Sequence, residues 1–175
     1  MSGETIYVGP LSAVASTVQA SGVGYLVTLM NDQAMIKTPD SIEPRRHLRL
    51  AMNDISEPQP GLVPPDDSHV QELIEFVAGW NRKSPMLIHC WAGISRSTAA
   101  AYIALCALNP GIDEQHIAQT LRAASPTATP NKRLVLLADG LLTRNGRMTR
   151  AVEGIGRGES TLEAPVFQLP ARMAV

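Results

Sequence analysis

The chain has no run of 18 apolar residues, so no transmembrane helix and no membrane partner are expected. Its start, Met1 to Tyr7, lacks a basic segment followed by an apolar one and reads as carrying no secretory signal. Only two cysteines occur, Cys90 and Cys106. A secreted disulfide framework would need more, so a reducing, cytoplasmic setting is expected. The formal net charge is −1, without the basic excess that bulk nucleic-acid binding requires. No internal repeat and no low-complexity block interrupts the chain. No CxxC or HxxxH spacing supplies a set of metal ligands, and neither a metal nor a cofactor is expected.

What remains is a chain of 175 residues, 45% apolar, enough for one compact domain with a core. Short β-type runs stand at Ile6–Val8 and Tyr25–Leu29, with a small-residue helix between them at Leu11–Ala20. Arg49–Met52 follows as a candidate third strand. The proline- and glycine-rich stretch from Glu57 to Pro65 can only be a loop. Ser68-His69-Val70-Gln71 has the form of a capping box, and Val70, Leu73, Ile74 and Val77 share one helical face, which predicts a helix over 68–82. Met86–Ile88 reads as a buried central strand. From Ser97 to Leu108 nearly every residue is apolar or small, as in a helix buried on most sides. Asp113 can cap a helix to about Ala123, and Asn131 another through Leu142. Residues 1–150 are read as the domain, and the glycine-bearing 151–175 as a peripheral helix or tail. Strands alternating with helices predict an α/β fold: a single domain with a mostly parallel central sheet flanked by helices. Ligands of such sheets bind beyond the carboxyl ends of the strands, the kind of place where Cys90 falls.

Residues 86–98, Met-Leu-Ile-His-Cys-Trp-Ala-Gly-Ile-Ser-Arg-Ser-Thr, carry the chemistry. Cys90 ends the apolar run, five residues separate it from Arg96, and Ser97 opens a helix. A free thiol with a pKa near ~8.5 is mostly protonated at neutral pH, and a helix N-terminus or a nearby cation lowers that value. The loop Trp91-Ala92-Gly93-Ile94-Ser95 can turn its N–H groups inward as a nest for an oxyanion, with Gly93 giving backbone freedom. The helix behind it adds its positive end. Arg96 can grip two oxygens of a phosphoryl group at once. Ser97 can donate to the thiolate. A lone cysteine beside an apolar run is usually a small core residue, but this surrounding pattern argues for a nucleophile instead. His89 and Cys90, adjacent in a strand, point to opposite faces and cannot ligate one metal together.

His89-Cys90, five intervening residues, then Arg96-Ser97 resembles the signature of the cysteine-dependent protein-tyrosine phosphatase superfamily. The wording Ala-Gly-Ile-Ser-Arg-Ser resembles its dual-specificity branch and bacterial relatives, and the order of elements over roughly residues 5–140 follows suit. The resemblance implies that Cys90 attacks phosphorus to form a phosphocysteine, that Arg96 binds phosphate, and that the 91–96 backbone cradles the oxyanion, without a metal. It also implies an aspartic acid that protonates the leaving group and then activates water. That acid stands after a strand, some thirty-odd residues before the cysteine, where Asp54 is found; Asp66 and Asp67 are the competitors. The implied substrate is a phosphoprotein or small phosphomonoester.

Other residues are assigned more plainly. His89 is expected beside the loop, holding the backbone and charge environment of the cysteine. Ser95 is expected to be structural, Trp91 to line the pocket mouth or merely pack, and Cys106 to be a buried small residue. Arg45, Arg46 and Arg49 form either a basic rim for the substrate or a solvated surface. The resemblance suggests that Arg122 and Asn131 brace the loop, although capping accounts for Asn131 equally well. Arg144, Arg147 and Arg150 read as a solvated face. Two rival readings stay open: a rhodanese-like sulfurtransferase, which needs no general acid, and a catalytically silent phosphate-binding module. The resemblance implies that a lipid-directed member would carry lysines in this loop, and residues 91–95 contain none.

Overall fold

The computed structural model describes residues 3–174. Five strands form one sheet: β1 (Thr5–Pro10), β2 (Tyr25–Met30), β3 (His47–Ala51), β4 (Met86–Cys90) and β5 (Phe167–Pro170), in the order β3-β2-β4-β1-β5. β1, β2, β3 and β4 are parallel, and β5 runs antiparallel to β1. β2 and β4 are wholly buried, consistent with runs that are apolar except at Thr28 and His89.

The alternation of side chains divides the core in two. Val8, Val27, Leu29, Leu50 and Ile88 face the larger cluster, built with α2 (Asp67–Ala78), α3 (Arg96–Leu108), α4 (Glu114–Ala124), α5 (Lys132–Leu141) and α6 (Arg147–Ile155). Tyr7, Leu26 and Leu87 face the smaller one, closed by Val14 and Val18 of α1 (Val14–Ser21). α3 is buried along almost its whole length, which explains its Ala-rich composition: small side chains let it lie close to the sheet and to its neighbouring helices. No helix among the described residues is long and apolar enough to cross a membrane.

Several expectations shift in detail. A 3₁₀ turn at Leu11–Ala13 precedes α1, which ends at Gly22 in the left-handed region (φ 64°). The box that opens α2 is not Ser68/Gln71. The Asp66 carboxylate accepts from His69 N at 3.1 Å, and the His69 ring accepts from Asp66 N at 3.1 Å. An imidazole acceptor here does the work of the usual Glu or Gln. Asp113 and Asn131 cap α4 and α5 as expected. The C-terminal segment, read from its glycines as a peripheral helix or tail, contributes α6 and the edge strand β5. Phe167 and Leu169 of β5 are buried and Gln168 is exposed.

Of the arginines after α5, Arg147 and Arg150 are exposed, but Arg144 is not part of a solvated face. Arg144 is 7% exposed, donates to Glu114 Oε1 at 2.8 Å and to the Cys106 carbonyl at 2.8 Å, and Arg147 bonds the same carboxylate. Their partner lies some thirty residues upstream, out of reach of any local charge pattern. Burial alone would push the Glu114 carboxyl up; the bonds from Arg144 and Arg147 outweigh it and hold the group below its ordinary 4.5. Arg144→Met leaves this buried carboxylate with only the half-exposed Arg147, and lowers stability at pH 7 by about 3–5 kcal/mol. A carboxyl depressed in the folded state stabilises above its unfolded value and loses that contribution as pH falls. The gap between the urea midpoints of wild type and variant therefore narrows as pH is lowered through and below 4.5.

Candidate active site

The site lies at the carboxyl end of the sheet, where β4 stops and α3 starts. Cys90 pairs in register with Pro10 at the end of β1, and the chain then loops through residues 91–95 to Ser95, the N-cap of α3. Every carbonyl of that loop for which a bond is found points outward. Trp91 O accepts from Leu11 N, Ala92 O from Ala164 N, Ile94 O from Thr129 N, and Ser95 O from Asn131 N, at 2.9–3.1 Å. Among the described residues, the amides of residues 92–95 donate to no other segment. The loop is thus turned with its carbonyls to the protein and its amides inward, the arrangement of an anion nest.

Gly93 makes the turn possible. Its φ is +71°, and a Cβ there would stand 2.8 Å from the carbonyl carbon of Gly9 and 2.9 Å from Pro10 N, both rigid backbone at the end of β1. Both conformation and close approach demand glycine.

Beneath the loop, the buried Cys90 thiol lies 3.1 Å from Ser97 Oγ. Arg96 is 8% exposed; one guanidinium nitrogen donates to the Met52 carbonyl at 2.8 Å, and its Nε has no partner. α3 begins without a side-chain cap, because the Ser95 hydroxyl donates instead to Asp54 Oδ1 at 2.8 Å. Asn131 Nδ2 donates to the same oxygen at 2.9 Å and to the Ile55 carbonyl at 3.2 Å. Asn131 therefore both caps α5 and ties the Asp54 segment to the neighbourhood of the loop. Asp54 is exposed at the mouth. Asp66, by contrast, is engaged at the head of α2: the Ser68 hydroxyl bonds its carboxyl, which is held below its ordinary value chiefly for that reason.

His89 is fully buried. Its Nδ1 lies 3.2 Å from the Cys90 carbonyl and its Nε2 2.8 Å from Thr28 Oγ1. Burial, aided by the Arg96 cation, lowers its pKa to about 4, so the ring is neutral at ordinary pH. Trp91 is 61% exposed beside the mouth. Arg122 braces the neighbourhood and not the loop itself: it donates to the carbonyls of Pro126, Ala128 and Gly156. Arg45 and Arg46 precede β3, at the end of the sheet opposite the site, where both pair with Glu43; Arg46 also stacks over Tyr25. They form no rim around the loop. Cys106 lies deep in α3, about 15 Å along the helix from Arg96, too far to bridge to Cys90. Burial pushes its thiol up to about 12. Among the described residues, no group of three or more His, Cys, Asp or Glu side chains could hold a metal ion.

Residues 55–133 match the protein-tyrosine phosphatase family model, a span that contains Cys90, Arg96 and Asn131 and begins just after Asp54. Over that span the chain is similar to the cysteine-dependent protein-tyrosine phosphatase superfamily. Within that superfamily its likeness is to dual-specificity members. It is 31% identical over 86 residues to dual specificity protein phosphatase 15 of Rattus norvegicus, covering 49% of this chain and 34% of the rat protein. The match thus spans about a third of that relative's length. The crystal structure of DUSP15 superposes with a TM-score of 0.57 at 20% identity, covering 89% of this chain and 94% of that one. The human tyrosine phosphatase-like serine/threonine/tyrosine-interacting protein gives a TM-score of 0.63 at 17% identity, covering 80% and 92%. These structural likenesses establish a shared fold.

Gly93→Ala has to pull the loop away from β1 as well as adopt a left-handed φ. The expected outcome is a stability loss of about 1–3 kcal/mol, read by urea denaturation. Binding of vanadate, read by calorimetry, should weaken by about tenfold or more as the nest opens. Wild-type vanadate affinity in this variant would show that the loop does not depend on the close approach.

Proposed function

We propose that the chain is a protein-tyrosine phosphatase, with phosphoserine and phosphothreonine as further substrates, that hydrolyses phosphomonoesters through a phosphocysteine. The observation that carries this reading is the buried, unpartnered Arg96 Nε beside a loop whose Trp91, Ala92, Ile94 and Ser95 carbonyls face away and whose floor is the Cys90 thiol. A dianionic phosphoryl group satisfies the orphan donor and the free amides together.

In this reading the Cys90 thiolate attacks phosphorus, a P–S bond forms and the ester P–O bond breaks. Asp54 gives its proton to the departing oxygen. Its Oδ1 is held by Ser95 and Asn131, which leaves Oδ2 to carry that proton. In the second step Asp54 takes a proton from water, the water oxygen attacks phosphorus, and the P–S bond breaks to release phosphate. Ser97 donates to the sulfur as negative charge returns to it. Arg96 and the amides of residues 91–96 hold the equatorial oxygens through both steps, where electrostatic stabilisation is worth most. The two free thiols suit a reducing, cytoplasmic setting. Residues 1–150 with their C-terminal extension would act as one catalytic domain.

Hydrolysis of para-nitrophenyl phosphate near pH 6, with reductant and EDTA, tests the reading. Wild type is expected to turn over and Cys90→Ser to be inactive. Asp54→Asn should lower kcat by roughly 10²–10⁴-fold, whereas Asp66→Asn should leave it near wild type. Turnover of thiosulfate without ester hydrolysis would replace the proposal with the sulfurtransferase. Phosphopeptide binding without turnover would replace it with the binding module.

A further inference from the structure

A second polar feature runs behind the loop, on the α1 side of the sheet. Four side chains join end to end. The Thr38 hydroxyl lies 2.8 Å from His47 Nδ1, His47 Nε2 lies 2.8 Å from Thr28 Oγ1, and Thr28 Oγ1 lies 2.8 Å from His89 Nε2. His89 Nδ1 then reaches the Cys90 carbonyl at 3.2 Å. Thr28 and His89 are buried partners in the β2–β4 ladder, His47 is the first residue of β3, and Thr38 is half-buried in the preceding loop.

The direction of every bond follows from one fact: a carbonyl only accepts. The Cys90 carbonyl therefore fixes the proton of His89 on Nδ1. A neutral ring then presents a bare Nε2, to which Thr28 must donate its single hydroxyl hydrogen. Thr28 can only accept from the other side, which fixes the His47 proton on Nε2 and leaves its Nδ1 to accept from Thr38. Both rings are neutral because burial lowers each to about 4, helped by Arg49 at His47 and Arg96 at His89. Those two guanidinium groups are the cations that act on the rings.

We infer that Thr28, His47 and Thr38 are positioning residues for Cys90, forming a one-way hydrogen-bond chain whose donor end polarises the Cys90–Trp91 peptide. The carbonyl of Cys90 and the N–H of Trp91 belong to one trans peptide and point in opposite directions, so holding the first sets the direction of the second. Donation to the carbonyl also makes that N–H, the first of the loop, a stronger donor to negative charge. The aligned dipoles place their positive end at the cysteine. The inference rests on Cys90 being the nucleophile.

The test reads the thiolate without a phosphate ester: the rate of Cys90 alkylation by iodoacetamide against pH, with the labelled residue located by mass spectrometry. Thr28→Val, nearly isosteric, removes both bonds at the middle of the chain. Its profile is expected to move to higher pH, slowing alkylation at pH 6 by about three- to tenfold. kcat for para-nitrophenyl phosphate should fall by a similar factor with little change in KM. Thr28→Ser is expected to restore both, which a loss of packing alone would not allow. His47→Phe should move the profile the same way by a smaller factor, since Thr28 keeps its bond to His89. Thr38→Val, at the half-buried outer end, carries the test if Thr28→Val does not fold, with a smaller shift of the same sign. Folded variants with the wild-type alkylation profile would overturn the inference. A shifted profile in a protein that hydrolyses no phosphate ester would leave the chain of bonds standing and remove the phosphatase reading instead.

Discussion

The carbonyl oxygens of residues 91–95 have to face the protein if the amides are to face a ligand. That single requirement organises the molecule around the site. A backbone turned this way leaves its carbonyls in need of donors, and no regular element can supply them all. Those of Trp91, Ala92, Ile94 and Ser95 are supplied by the exit of β1 at Leu11, by the segment 129–131 ahead of α5, and by Ala164 just before β5. The C-terminal segment is thus part of the machinery that turns the loop. It is pinned in turn by Gly158 to Thr129, by Glu159 to the Pro126 carbonyl, and by the Glu163 carboxylate to the Ser12 hydroxyl. Cutting the chain at about 150 would remove a donor from the loop as well as an edge from the sheet.

Asn131 shows how few residues couple the parts. Its oxygen caps α5, its backbone N–H satisfies Ser95, and its amide holds the Asp54 segment. Arg96 makes a second link between the same two regions through the Met52 carbonyl. The candidate acid and the candidate phosphate loop come from distant stretches of chain, yet their relative placement rests on bonds short enough to leave little freedom. Ser95 belongs to the same arrangement. By giving its hydroxyl to Asp54 it leaves the first turn of α3 uncapped, so the positive end of that helix remains available to an anion.

The parts legible in the sequence were those encoded locally. The cysteine, glycine and arginine of the loop, the caps at Asp113 and Asn131, and the buried face of α2 are each set by neighbours a few residues away. What was not legible depends on long-range pairing. β5 is four residues long, too short for its alternation to stand out from a tail. Arg144 and Arg147 look like surface charge until Glu114 is brought to them. Asp66 captured the cap of α2 because His69 answered it as an acceptor, a pairing that the Ser68 pattern obscured. The partners of His89 were hidden for the same reason. Thr28 and His47 carry no signal of their own, and only the parallel register of β2, β3 and β4 lines them up.

Two arginines of almost equal burial make the strongest contrast in the molecule. Arg144, at 7% exposure, is surrounded by what a buried cation needs: the Glu114 carboxylate and a carbonyl. Arg96, at 8%, has a carbonyl but no carboxylate, and one of its donors has no partner. An unpaired buried charge is costly, and a structure that serves one guanidinium so fully has no general difficulty in serving another. The deficit is local, and it sits where the surrounding amides are also free and a helix points its positive end. A neutral or cationic ligand would deepen it. A doubly charged tetrahedral anion bound over the sulfur of Cys90, as proposed, would remove it.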